Sequence, residues 1–274
     1  MGSSEGLASP SAQDLPKPDR RVLAHPPLEV AIFEVRLLGA APNSEAETGL
    51  RLLEAVRAAG WNAERVEQAQ QHSLQLQLGT ERAEGSFAVQ STGWQLVDPS
   101  TATTATVFPD VVAIQAGKYD SWEVSFRPVV KAVLLAVAEV SAPALRQRLA
   151  LRYVDRLVNP DAGDASAWVN RVAAPLLGAI AQPLAGLRVV SAQQQLELVL
   201  PSGRGAVLRH GPFPDGAERG AISYLVDIDV FDTASAAFGV EDVLRVADLI
   251  SEEALAVFHS VLTPDYLTEL RGTP

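Results

Sequence analysis

Residues Leu28–Leu38 read LEVAIFEVRLL, and residues Arg148–Val158 read RLALRYVDRLV. The first is a nearly continuous apolar run punctuated by Glu29, Glu34 and Arg36, with the Val, Ile and Phe content of a strand central in a sheet. The second is a strand of the same length in which Arg148, Arg152 and Arg156 recur every fourth residue. The period-two rule therefore places them on one face with Ala150 and Val154. A single offset of 120 residues superposes Arg36 on Arg156 and Leu37 on Leu157. The same offset takes Ser44 to Asp164, Leu76 to Leu196, Leu78 to Leu198 and Gly85 to Gly205. Repetition at a fixed offset, with elements in the same order, indicates an internal duplication.

The elements around the two strands fill out the repeat. Ser44 and Glu47 form a capping box, Leu50, Leu53 and Val56 follow at helical spacing, and Gly60 supplies the stop. Leu74, Leu76 and Leu78 alternate with Gln75 and Gln77, as in a half-exposed strand. Short strands are predicted over 86–90, 93–97, 105–108 and 111–116. A strongly apolar helix then runs from Phe126 through Val130, Val133, Leu134 and Val137 until Pro143 ends it. In the second half, Asp164 is predicted to cap a helix carrying Trp168, Val172, Leu176 and Ile180. Strands follow over 194–200, 205–210 and 222–231, and a long helix over 240–262 closes the chain. The fold class is therefore α+β: two tandem β-α-β-β-β-α units with mostly antiparallel sheets and helices packed on one face. Residues 1–25 are expected as a flexible tail, 26–147 as the first unit and 148–274 as the second. The two units are free to share one curved sheet or to pack face to face.

Composition narrows the function classes. The chain has 274 residues, 47% of them hydrophobic and 20% charged, which is the profile of a folded globular protein. The formal charge of -11 opposes a generic nucleic-acid groove, so nucleic acid is an unlikely partner. The absence of cysteine removes disulfides, thiolate metal sites and cysteine nucleophiles. No apolar run reaches the roughly 18–20 residues of a membrane span, and the N-terminus lacks the layout of a secretory signal. A cytoplasmic protein with no membrane partner is thus expected.

Several strings resemble the landmarks of a sporadically distributed bacterial protein family that has no assigned activity. They are Pro26-Pro27-Leu28-Glu29-Val30 running into Phe33-Glu34-Val35-Arg36, then Tyr119-Asp120-Ser121-Trp122, Leu151-Arg152-Tyr153-Val154-Asp155-Arg156 and Val226-Asp227-Ile228-Asp229-Val230-Phe231. The resemblance spans most of residues 26–270. It implies a bacterial, intracellular setting and the repeat architecture, and it supplies no mechanism. Members of that family usually carry Asn where this chain has Asp155, so a polar contact made there differs.

Chemistry is sparse along the chain. Asp227 and Asp229 share one face of a strand and are the candidate ligands for a divalent metal such as Mg²⁺ or Ca²⁺, although a structural role, facing solvent or pairing with arginines, is the stronger reading. The arginine set Arg148, Arg152 and Arg156 is a candidate surface for an acidic or anionic partner, or else the counterpart of carboxylates such as Glu34. Tyr119 and Trp122 are candidate partner anchors, with core packing as the competing role. His25, His72, His210 and His259 show no zinc spacing, His210 reading as a turn residue. The nucleophile elbow GxSxG, the phosphate loop GxxxxGK[ST] and the dinucleotide fingerprint after a strand are absent, so no cofactor is called for. Gly203-Arg204-Gly205, between two alternating strands, reads as a hairpin turn. The leading expectation is a non-catalytic module that binds a protein partner or forms a homo-oligomer. The alternative is a small-ligand or metal-dependent site between the two halves.

Overall fold

A computed structural model of the chain describes residues 15, 17–21, 23–41, 45–78, 83–159, 163–182, 187–217 and 220–272, with side chains left out over 71–90. The order of elements is β1 (Leu28–Leu38), α1 (Ala46–Ala58), β2 (Arg65–Leu78), β3 (Ala83–Asp98), β4 (Thr103–Val107) and β5 (Val111–Ala116). A π-helical turn (Trp122–Phe126), α2 (Arg127–Ser141) and β6 (Leu145–Leu157) come next. Three short 3₁₀ turns precede β7 (Gln194–Val199), β8 (Gly205–Pro214), β9 (Ile222–Asp232), β10 (Ala236–Ala237), α3 (Val240–Val261) and α4 (Pro264–Arg271).

All the strands join one sheet in the order β2-β3-β4-β5-β1-β6-β9-β8-β7, with the two-residue β10 also on β6. Every pairing is antiparallel. The two opening strands meet at the centre, with Phe33 opposite Leu151 and Val35 opposite Leu149. Of the two arrangements open to the sequence, the chain takes the continuous sheet. Alternation then decides the faces. Ala31, Phe33, Val35 and Leu37 of β1, Leu149, Leu151 and Leu157 of β6, and Val226, Ile228 and Val230 of β9 are buried in one core with α1, α2 and α3. The interleaved residues, among them Ile32, Glu34, Arg152 and Asp229, are half-buried on the face that carries no helix.

The two halves differ in make-up. Strands β1 to β5 belong to the first, whereas the second has β6 to β9 and the short β10. The helix expected after Asp164 is instead three 3₁₀ turns, Ala165–Trp168, Ala174–Leu176 and Gly178–Ile180. Asp164 does cap the first, accepting from the Ser166 N–H at 2.8 Å, but Pro175 and the positive φ of Gly178 break up a continuous helix. Trp168 compensates by filling the core, edge-on to Tyr266 and donating its indole N–H to the Ile222 carbonyl at 2.8 Å. In α1 the buried residues are Gly49, Leu52, Leu53 and Val56, and Leu50 is exposed, so the helix is rotated from the expected stripe. Trp94 lies against Gly49 so closely that a Cβ there would meet the ring at 2.6 Å, which sets this rotation. The expected strands 86–90 and 93–97 form one strand, β3, and α4 was not anticipated. The capping role of Ser44 and the inward pattern of Leu74, Leu76 and Leu78 fall outside the described residues or side chains, as does most of the expected tail.

His210 is no turn residue. It sits fully buried within β8, its Nδ1 2.8 Å from the Tyr224 hydroxyl. β8 continues past His210 to Pro214, and the turn expected at Gly203-Arg204-Gly205 is found between β7 and β8, with Gly203 at φ +86. Next to His210, Gly211 holds φ +146 while the backbone of Ala192 crosses it, the space for a Cβ lying 1.7 Å from the Ala192 carbonyl oxygen. A Gly211→Ala change is therefore expected to cost about 3 kcal/mol through backbone strain and displacement of the 192 segment, read as a lower urea midpoint with unchanged slope.

Candidate functional site

Two polar regions lie on opposite sides of the central strands. On the helix-free face Arg148, Arg152 and Arg156 of β6 meet acids of β1 and β9 and Asp215, which follows β8. Arg148 donates to Glu34 at 2.9 Å and to Asp229 at 3.1 Å, with its guanidinium 5.0 Å from the Phe231 ring centre. Arg152 donates through two nitrogens to both oxygens of Asp227, each at 2.7 Å, and Arg209 of β8 approaches the same carboxylate at 3.5 Å. Arg156 donates to Asp215 at 2.8 Å and Glu29 at 3.4 Å.

The structure thus brings together Arg148, Arg152, Arg156, Asp227 and Asp229, and uses them on one another. The hydrogen bonds it donates to Asp227 hold the Arg152 guanidinium above its ordinary pKa. Burial pushes the Asp229 carboxyl up, against the pull of Arg148 and Arg152. Among the described residues, no group of three or more His, Asp or Glu side chains is placed to hold a metal ion. Arg148, Arg152 and Arg156 are each ion-paired within the fold. Because Asp227 is 3% exposed, Arg152→Met leaves a buried carboxylate with only the weaker Arg209 contact. The expected loss is about 2 kcal/mol in chemical denaturation, with at least half recovered in the Arg152→Met/Asp227→Asn double variant.

The second region lies on the helical face, where Tyr119 and Trp122 are found. Here a cavity of about 450 Å³ opens between the sheet, α3, the π-helical turn and the chain segment leading into β1. Ser121 fixes the turn, its hydroxyl accepting from the Val124 N–H at 3.1 Å. Asp248 of α3 accepts from the Trp122 indole at 2.8 Å and from Arg127 at 2.7 Å, which locks the turn to both long helices. The Tyr119 and Tyr153 rings stand edge to face at 5.7 Å with their hydroxyls 3.3 Å apart, and the Tyr153 hydroxyl reaches Ser251 at 3.5 Å. Ile228, Leu255 and Phe258 supply apolar wall.

The segment before β1 forms the remaining side. Arg20 bridges Glu123 of the turn and Glu252 of α3, Asp19 pairs with Arg271 at 2.9 Å, and the His25 N–H donates to the Leu270 carbonyl at 3.1 Å. Leu23, Pro26 and Pro27 face the cavity from this segment.

Asp155 is the anomaly in this wall. Its strand alternates Leu149, Leu151, Tyr153, Asp155 and Leu157 toward the helices, so an acid occupies an apolar position. It is 5% exposed, lines the cavity and has no hydrogen-bond partner among the described residues. Burial, reinforced by Asp227 on the reverse face of β9, pushes its carboxyl up to about 8. Reading for motifs passed over this residue as a catalytic or binding candidate. The signal that marks it is a break in strand alternation: one acid among large apolar residues at the same parity.

No protein-family model matches the chain, and no curated protein gives a match.

The raised carboxyl has a definite linkage to stability. Asp155 is protonated in both folded and unfolded chains below about pH 4. Between pH 4 and 8 only the unfolded chain ionises freely, so folding loses free energy as pH rises, and the loss levels off above 8. Asp155→Asn removes this penalty. Its stability advantage over the parent is expected to grow between pH 5 and pH 8 by on the order of 3 kcal/mol, measured by denaturation at both pH values. A pH-independent difference would show that the carboxyl is solvated.

Proposed function

We propose that this chain is a binding protein for a small organic molecule, which it holds in the cavity between β6, α3 and the π-helical turn. The observation that carries the reading is Asp155: the carboxyl of a residue only 5% exposed, lining a cavity, with no hydrogen-bond partner among the described residues. Buried polar groups in folded proteins almost always have partners, so one that lacks a partner calls for an explanation, and a ligand in the cavity supplies it here. The cavity volume lies in the usual range for small-molecule sites, and its mix of apolar wall with a few convergent polar groups, the Tyr119, Tyr153 and Ser251 hydroxyls, is typical of them. This places the site on the opposite side of the sheet from Asp227 and Asp229.

A second reading, assembly through the sheet, draws on a separate observation. β7 ends the sheet, and its residues Gln195, Glu197 and Val199 are exposed, Val199 by 83%. An edge of this kind accepts a further strand from a protein partner or a second copy. We also infer that the chain arose by duplication. Outward from β1 come β5, β4 and β3, and outward from β6 come β9, β8 and β7, which supports paired halves with β2 added to the first. By sheet position Leu196 then corresponds to Leu96 rather than Leu76. The bacterial, cytoplasmic setting belongs to the same proposal.

The small-molecule reading is tested with 1-aminoanthracene, a neutral apolar fluorophore that brightens when removed from water. Saturable binding at micromolar concentration is expected for the parent chain. Ser251→Trp and Ala254→Phe, which fill the cavity, should each weaken it at least tenfold, while Arg148→Ala on the far face should not. Equal binding by parent and filled variants, or none by the parent, overturns the reading.

A further inference from the structure

The charges around the cavity have one sign in excess. Among the described residues five acidic side chains line it, Asp19, Asp120, Glu123, Asp155 and Glu252, against two arginines. Both arginines are committed: Arg20 to Glu123 and Glu252, and Arg21 to Asp19 at 2.6 Å. His259 adds no positive charge near neutrality, because burial, helped by Arg271, holds it below its ordinary pKa, and its Nδ1 is 3.4 Å from the Asp19 N–H. Among the described residues lining this space no unpaired arginine or lysine is placed to meet an anionic ligand.

We propose that the cavity selects a small organic cation, a protonated amine on an apolar body, with the ammonium seated on Asp155. The inference rests on the small-molecule reading above and names its ligand class. The acid lies at the sheet wall two residues along β6 from Tyr153 and opposite Val226 of β9, and Ile228 of β9 with Ser251 and Phe258 of α3 lines the same cavity. An ammonium donates three hydrogen bonds, and the Asp155 carboxylate with the Tyr and Ser hydroxyls provides acceptors for them. The aromatic rings of Tyr119, Tyr153 and Phe258 suit the remaining faces of a cation through their π electrons. The apolar body then occupies the part of the cavity bounded by Leu23, Leu28 and Leu255.

The groups that face Asp155 make the pH behaviour diagnostic. On β6 and before the turn stand Tyr153 and Tyr119, both held above the ordinary phenol range chiefly by burial and so neutral. From α3 come Glu252 and His259, from the turn Asp120 and Glu123, and from the leading segment Asp19, Arg20 and Arg21. Asp227, behind the sheet on β9, adds to the cost of ionising Asp155. A cation arriving beside Asp155 favours its ionised form, so binding below pH 8 expels one proton. Affinity for an amine therefore rises about tenfold per pH unit from 6 to 8, as the competent fraction of the protein grows. A neutral ligand that accepts a hydrogen bond from the protonated carboxyl behaves oppositely, binding evenly below pH 8 and more weakly above it.

The experiment uses the full chain and three probes of one shape: 1-naphthylmethylamine, 1-naphthalenemethanol and 1-naphthoate. Calorimetry, with displacement of 1-aminoanthracene as a second readout, follows each from pH 6 to 8.5. The amine is expected to bind at least tenfold more tightly than the alcohol at pH 8, with naphthoate weakest. Calorimetry in buffers of different ionisation enthalpy should show close to one proton released at pH 7. Asp155→Asn should bring the amine to the level of the alcohol and abolish both its pH slope and its proton release. A flat pH profile for the amine, tighter binding of alcohol or naphthoate, or an unchanged amine affinity in Asp155→Asn overturns the proposal. If 1-aminoanthracene binds and the amine does not displace it, the cation assignment fails while the cavity reading stands. If no probe binds, the cavity reading itself fails.

Discussion

The antiparallel pairing of β1 with β6 is the contact on which the rest of the molecule depends. It fuses two sets of strands into one sheet and fixes the parity of every side chain along both strands. With Phe33, Val35, Leu149 and Leu151 turned toward the helices, Arg148, Arg152 and Arg156 of β6 fall on the opposite face. There they find Glu34 on one side and Asp227 and Asp229 on the other, at bonding distance. The same parity sends Asp155 to the helical side, among apolar neighbours and away from those arginines. One geometric rule thus produces both a satisfied ionic lattice and an unsatisfied acid, back to back across a single layer of backbone.

How much of this was legible in the sequence depended on whether the signal was local. β5 was read at its observed limits, 111–116, because a short Val- and Ile-bearing run between Pro109 and Gly117 is a local fact. The stop at Gly60 and the apolar face of α2 were legible for the same reason. The 164–180 stretch misled because its apolar spacing is helical while its prolines and glycine are not, and burial of Trp168 rather than helix propensity settles its path. His210 looked like a turn residue beside Gly211-Pro212. The close crossing of the Ala192 backbone, which gives that glycine its purpose, is a contact between distant segments that spacing alone does not disclose.

The candidate site shows the same divide. Asp227, Asp229 and the arginines stood out because charged residues at regular spacing attract notice, yet they neutralise one another. The cavity is assembled from the segment before β1, the turn after β5, β6, β9 and α3, and its most unusual member is a single aspartate with no motif around it. Tyr119 and Trp122 were picked out for their aromatic bulk, and they do shape the cavity, Trp122 through an indole bond to Asp248 that pins the turn in place. What the sequence lacked was the third dimension that turns five unrelated segments into one enclosure.

The central strand pair also shapes how the protein comes into being on the ribosome. Within the first half, β1 has β5 for one neighbour, but its other side waits for β6, which is made only after the intervening strands and two helices. Until then the nascent chain carries an apolar strand with an open hydrogen-bonding margin, a surface prone to pairing with the wrong chain. Such long-range closure makes for slow folding, so the interval between synthesis of the two strands is when this protein has most need of a chaperone.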